Sequence, residues 1–179
     1  TITISGLQQR IYNNEQPAYK ELFELFYSKL FRLAFMITKS RESSEEIVSD
    51  LFIAIWRRRE NVLKIKNLRL YLYVSVKNTS FNYLAQLTKT NIVSLEDIDF
   101  EPLQPFSNPE DLLVTKEMNQ QLYKAIQSLP PRCRIIFKLV KEDGLSYKEA
   151  AELLNLSTGT IDNQLVLAIK KLSKALFYS

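Results

Sequence analysis

Apolar residues recur at helical spacing through most of this chain. Over residues 18–38, Leu22, Phe23, Leu25, Phe26, Leu30, Leu33, Ala34 and Ile37 define the broad inner face of one long helix. Residues 40–42 interrupt it. The run "SSEEIVSDLFIAIW" then starts a second helix, with Ser43 and Glu46 at capping-box spacing. Its inner positions are Val48, Leu51, Phe52, Ile55 and Trp56. Glu45, Glu46, Ser49, Asp50 and Ile53 lie mostly elsewhere, forming an acidic outer face with one apolar residue. After the basic run "RRRENVLKIKN", read as a helix end and loop, the spacing predicts a third long helix over 67–87. Leu70, Val74, Phe81 and Leu84 make its inner stripe, while Tyr71, Lys77, Asn78 and Asn82 populate other faces.

Periodicity is lost over residues 88–111, where Pro102, Pro105 and Pro109 fall. Beyond this stretch a helix is predicted from Pro109, with apolar positions Leu112, Leu113, Leu122, Ala125, Ile126 and Leu129, and it stops at Pro130 and Pro131. "RCRIIFKLVKEDG" reads as a short helix closed by Gly144. "SYKEAAELLNLSTGTIDNQLVLAIKKL" reads as two helices with a tight turn between them. Ser146 and Glu149 repeat the capping-box spacing, and Ala150 and Ala151 are small enough for close helix contact. Ser157 or Thr158 caps the last helix, whose inner face is Ile161, Leu165, Ala168, Ile169 and Leu172. The predicted fold is all-α: two small helical domains, 1–90 and 112–179, joined by an acidic linker, 91–111, with a helix-turn-helix at the C-terminal end.

Composition narrows the function. Histidine is absent and Cys133 is the single cysteine, which removes Ser-His-Asp triads, Cys-His dyads, the usual zinc sites and any internal disulfide framework. Carboxylates alone would need a cleft to do acid–base work, and here they sit on helix faces or in the linker. The expectation is a protein that is not an enzyme, with no cofactor, no metal and no small-molecule substrate. No run approaches the length of a membrane span. No signal-peptide pattern opens the chain, and the missing initiator Met suggests trimming. A cytoplasmic location follows as an expectation.

Charge is unevenly placed. Residues 1–90 carry 14 basic and 8 acidic residues, 91–111 carry 6 acids and no base, and 112–179 carry 10 bases and 6 acids. Two basic bodies flank an acidic strip, and only the bodies are suited to a polyanion.

A short helix, a tight turn and a longer helix is the pattern in which the second helix enters the major groove, N-terminal residues nearest the bases. Those residues here are Thr158, Gly159, Thr160, Asp162 and Asn163. Yet from Thr158 to Ile169 there is no lysine or arginine, and the one charge is Asp162.

The residues after Gln127 carry a more specific signal. Leu129, Pro130, Arg134, Phe137, Gly144, Ser146, Glu149, Ala151, Gly159, Thr160 and Ile161 match the pattern of the C-terminal DNA-binding region of bacterial sigma factors. "SSEEIVSDLFIAIW" is similar to that family's polymerase-binding helix, and "LYLYVSVKNTSFNYLAQ" to its reader of the minus-ten element. The order is right over about 160 residues. The chain resembles the small extracytoplasmic-function (ECF) group of the sigma-70 superfamily.

That resemblance implies an alternative sigma factor that binds core RNA polymerase, directs it to promoter DNA and helps open the minus-ten element. Glu45, Glu46, Ser49, Asp50 and Ile53 would dock on polymerase by charge steering plus burial. Asn78 and Asn82 would read base edges, Lys64, Lys66 and Lys77 would hold phosphates, and Tyr71 or Tyr73 would stack on an unpaired base. The family's basic pair after this helix is replaced by Ala85 and Gln86. The linker would lie in a positive polymerase channel. In the C-terminal domain Thr158, Thr160, Asp162, Asn163 and Gln164 would face the minus-thirty-five element, with phosphates held only by Lys141, Lys148, Lys170 and Lys171. Relatives carry bases near 162, 164 and 167. The implied consequence is feeble duplex binding by this domain alone. Val166 and Leu167, if exposed, suit a protein partner better than a phosphate. A membrane-linked anti-sigma factor is a further implied partner. Two alternatives stay open: a stand-alone helix-turn-helix regulator, and a decoy relative that has lost promoter recognition.

Overall fold

The computed structural model describes residues 3–88 and 116–177. Among these residues there is no strand. The predicted linker, 91–111, and the apolar positions Leu112 and Leu113 lie outside them. Chain contacts divide the protein into two compact units, Thr1–Val93 and Ser94–Ser179.

The N-terminal unit is built on α2 (Gln16–Thr38), which packs against both α3 (Arg41–Arg57) and α4 (Leu68–Thr88). Leu22, Leu30, Leu33 and Ile37 of α2, Val48 and Phe52 of α3 and Leu72, Tyr73 and Val76 of α4 are almost fully buried and form its core. A first helix, α1 (Ile4–Tyr12), precedes them. The sequence reading did not include it, although Ile4, Leu7 and Ile11 repeat at helical spacing; Leu7 and Ile11 are buried. The basic run after α3 folds as a 3-10 segment, Arg59–Lys64, not an irregular loop.

Leu25 of α2 is 48% exposed and lies off the inner face expected for it, and two further expectations for this unit are corrected. Ser43 does not cap α3. Lys39 takes a left-handed conformation that ends α2, and the chain re-enters a helix at once, so Ser40 becomes the cap. Its Oγ accepts from the Ser43 amide at 3.2 Å, while the Thr38 and Ser44 hydroxyls meet at 2.8 Å beneath the turn. Second, of the expected inner positions of α4 Leu70 is buried, whereas Val74, Phe81 and Leu84 are half-buried and Leu68, Leu72, Tyr73, Val76 and Ser80 take the inner side. Packing on α2 from one side and α3 from the other turns that helix about one residue from the expected register.

In the C-terminal unit α5 (Lys116–Gln127), α6 (Pro131–Phe137) and α7 (Tyr147–Leu154) all pack on α8 (Thr158–Phe177). Pro130 and Pro131 separate α5 from α6, as predicted. A π turn, Lys138–Glu142, continues α6, and Gly144 at φ 78° frees the chain to reach α7. The Ser146–Glu149 capping box is present in both directions, at 3.2 and 2.8 Å. Asn155, at φ 54°, ends α7; short polar side chains tolerate that left-handed conformation. The α8 core comprises Ile161, Leu165, Ala168 and Leu172, but Ile169 is 47% exposed and is not part of it. It sits about 100° around the helix from Ala168, past the edge of the buried stripe.

Candidate nucleic-acid and protein interfaces

Three surfaces carry the residues singled out from the sequence. The first is the outer face of α3. Glu46 and Asp50 are exposed, Glu45 and Ser49 are half-buried, and Ile53 is 44% exposed. Burial of Val48, Phe52 and Ile55 on the opposite side fixes this orientation. Arg41 Nε donates to Glu45 Oε1 at 2.8 Å, so one of the three acids is already partnered. The result is an acidic strip around one exposed isoleucine, chemistry suited to a basic helix with an apolar residue of its own.

The second surface lies on α4 and the segment before it. Asn67 Oδ1 accepts from the Leu70 amide at 3.0 Å and caps the helix. Tyr71, Asn78 and Asn82 are all exposed and spaced seven and four residues apart, so they share one stripe. Tyr73 is fully buried and is excluded as a stacking platform, leaving Tyr71 for that role. Lys77 is half-buried beside the stripe, and burial holds its ammonium below the usual lysine value. Lys64 and Lys66 are exposed, with Lys64 Nζ 2.6 Å from Asn61 Oδ1.

One positioning residue was missed from the sequence. The Gln8 amide nitrogen donates to the carbonyls of Val62 and Ile65, both at 2.9 Å. It thereby clamps the backbone that carries Lys64 and Lys66 against α1. A polar residue between Leu7 and Ile11 was the available signal, but nothing local says where its donors go. Nearby, the Arg59 guanidinium lies 5.0 Å from the Trp56 ring centroid.

The third surface is the N-terminal half of α8. Ser157 caps it, its Oγ accepting from the Thr160 amide at 3.0 Å and meeting the Thr160 hydroxyl at 2.9 Å. Thr160 is therefore half-buried, with its hydroxyl already engaged; Gln164 is half-buried on the same side. Thr158, Asp162 and Asn163 are exposed, as are Lys141, Lys148, Lys170 and Lys171. Val166 and Leu167 are 57% and 49% exposed. Behind α8, the Cys133 thiol donates to the Gln164 carbonyl at 3.2 Å, and Arg134 donates to the carbonyls of Gln127 and Leu129 at the end of α5.

Among the described residues no group of histidine, cysteine and carboxylate side chains could hold a metal ion. No described helix is long and apolar enough to cross a membrane.

Comparison with known proteins matches each half separately. Residues 22–90 match the family model for sigma-70 region 2, and residues 119–172 match that for sigma-70 region 4. The ECF RNA polymerase sigma-E factor of Escherichia coli strain K12 is 27% identical over 174 residues, covering 93% of this chain and 91% of that protein. The RNA polymerase sigma-H factor of Pseudomonas aeruginosa is 23% identical over 177 residues, covering 95% and 92%. Among solved structures, CnrH in complex with the cytosolic domain of CnrY shares the fold at a TM-score of 0.56, with 19% identity and coverage of 98% and 97%. The sigma factor RpoE in complex with the anti-sigma factor NepR, from Bartonella quintana, does so at 0.53, with 22% identity and coverage of 88% and 96%.

Proposed function

The chain belongs to the ECF group of the sigma-70 family, and from that premise we propose how its two helical units share the work of an alternative sigma factor. Such a factor initiates transcription by binding core RNA polymerase and directing it to particular promoters. It does no chemistry of its own; polymerase supplies the catalysis, in the cytoplasm. The observation that carries this reading is the order of the two family regions, 22–90 and then 119–172, one on each compact unit.

The N-terminal domain, 1–90, docks on core polymerase through Glu45, Glu46, Ser49, Asp50 and Ile53. The same domain meets the minus-ten element through α4. Asn78 and Asn82 hydrogen-bond base edges, Tyr71 stacks on a base turned out of the duplex, and Lys64, Lys66 and Lys77 hold phosphates. Its stacking offsets part of the few kcal/mol that unstacking a base costs.

The C-terminal domain, 112–179, lays α8 against the minus-thirty-five element. Lys141, Lys148, Lys170 and Lys171 grip phosphates at the ends of that helix. Each phosphate contact contributes about 0.9 to the salt slope of binding, so so few bases give a shallow slope and weak affinity for duplex DNA without polymerase. The acidic stretch 91–111 runs between the domains along a positively charged polymerase channel. An anti-sigma protein, membrane-linked as is common in the ECF group, is the proposed inhibitor. That the structurally similar sigma factor RpoE is in complex with the anti-sigma factor NepR supports this partner class.

In vitro transcription with core polymerase on a promoter library tests the reading. Transcripts from a subset sharing two upstream elements are expected. Failure to co-purify with polymerase, together with a two-fold-symmetric footprint made by the protein alone, would instead identify a stand-alone regulator.

A further inference from the structure

We infer that Val166 and Leu167 of α8 read thymine methyl groups in the major groove, and so set part of the promoter specificity. The inference rests on the reading of the C-terminal unit as the one that lies on upstream duplex DNA.

The geometry of α8 carries it. Ile161, Leu165, Ala168 and Leu172 are buried and define the inner side of the helix. At about 100° per residue, the line opposite them passes through Gly159, Asn163 and Lys170. Val166 and Leu167 project about 50° to either side of that line. They are 57% and 49% exposed, so neither has found a place in the core of its own unit.

A face that docks on protein has its apolar residues in the centre and its polar residues at the rim. Here the order is reversed: Asn163 and Lys170 run along the centre and the two apolar side chains flank them. That order fits a groove floor. Asparagine pairs with adenine edges, and the one apolar group on the major-groove floor is the thymine C5 methyl of the partner base. A residue on each flank of the central line faces a different strand. The absence of lysine and arginine from Thr158 to Ile169 has the same sense. Lysines that can reach the sugar–phosphate walls, among them Lys141, Lys148 and Lys171, stand beside or beyond this stretch, and its middle, which carries no cation and Asp162 as its single charge, is left for the bases.

The test uses holoenzyme and a duplex promoter that the holoenzyme has selected from a library. Each thymine in the upstream protected segment is replaced in turn by deoxyuridine, which removes one methyl and leaves every hydrogen-bonding group in place. Loss of affinity of about fourfold is expected at one position on each strand, the value of one buried methyl. Val166→Ala should abolish the loss at one of them and Leu167→Ala at the other. Upstream protection that is indifferent to deoxyuridine throughout would overturn the methyl reading alone. So would a thymine preference that Val166→Ala and Leu167→Ala holoenzymes both keep in full, since neither side chain would then meet the methyl. A holoenzyme with no upstream protection would remove the underlying reading, and this inference with it.

Discussion

Lys138 Nζ lies 2.5 Å from Asp143 Oδ2, with the lysine side chain 9% exposed and the aspartate side chain 1%. The pair spans the π turn between α6 and α7, and the Asp143 amide also donates to the Lys138 carbonyl at 2.9 Å. One of the bases counted in the C-terminal domain is thus neutralised inside it and is not available to phosphate. Asp143→Ala would remove the carboxylate that faces this buried ammonium, which costs about 3–5 kcal/mol. Hydrogen exchange across α6 and α7 in the full chain should accelerate accordingly. A double change to Lys138→Met and Asp143→Leu should recover much of the loss. Unchanged protection in Asp143→Ala would show that the pair does not hold this turn.

On α3 the three outward acids differ. Glu45 is paired with Arg41, whereas among the described residues no ion pair engages Glu46 or Asp50. Reversing Glu46 and Asp50 to lysine should therefore weaken core polymerase binding by at least about tenfold, since like charges meeting at an interface cost several kcal/mol. Thermal stability should shift by less than about 0.5 kcal/mol, as for exposed positions generally. Competition for core polymerase at two salt concentrations measures this. Equal affinity for wild type and variant would remove α3 from the interface.

Where a residue's partners are local, the sequence was readable. The Ser146–Glu149 box, the stop at Pro130 and the turn at Gly144 each involve residues within a few positions, and each forms as expected. Where the outcome depends on distant packing, it was not. Whether Ser40 or Ser43 caps α3 depends on how α2 ends at Lys39. Tyr73 rather than Phe81 enters the core because α4 is turned by α2 and α3 together. Gln8 finds its partners 54 and 57 residues away. The helix-turn-helix motif was legible for the same local reason, because much of it is scaffold: Arg134 ties α5 to α6, Gly144 makes the turn and Glu149 closes a cap. The residues facing outward from α8 follow no such rule, and their exposure had to come from the structure.

Gly159 separates stability from recognition. It lies on the outward line of α8, and a Cβ there would meet nothing nearer than Ser157 Oγ at 3.8 Å. Gly159→Ala should leave the fold intact and stabilise the helix by up to about 1 kcal/mol. Gly159→Leu should fold equally well yet lose about tenfold or more in promoter affinity, because its side chain fills the space between helix and bases. Thermal melts and promoter binding by holoenzyme, measured side by side, check both. A leucine variant with wild-type promoter affinity would mean that this end of α8 does not approach DNA closely.

Cys133 gives the C-terminal domain a dependence on alkaline pH. The thiol is 1% exposed, and burial pushes its pKa up, with Lys171 pulling weakly the other way. In the unfolded chain it has its ordinary value, about 8.5. Because the folded value is raised, the contribution to stability is complete below about pH 8. Above that, the unfolded state sheds the proton while the folded state keeps it, and stability declines until the pH passes the folded value. Lysines and tyrosines also titrate in this range, but they are the same in wild type and Cys133→Ala. Urea unfolding from pH 7 to pH 10 should therefore show a steeper fall for wild type than for the variant, whatever the offset caused by the smaller side chain. Parallel curves would show that the thiol ionises as readily in the folded domain as in water.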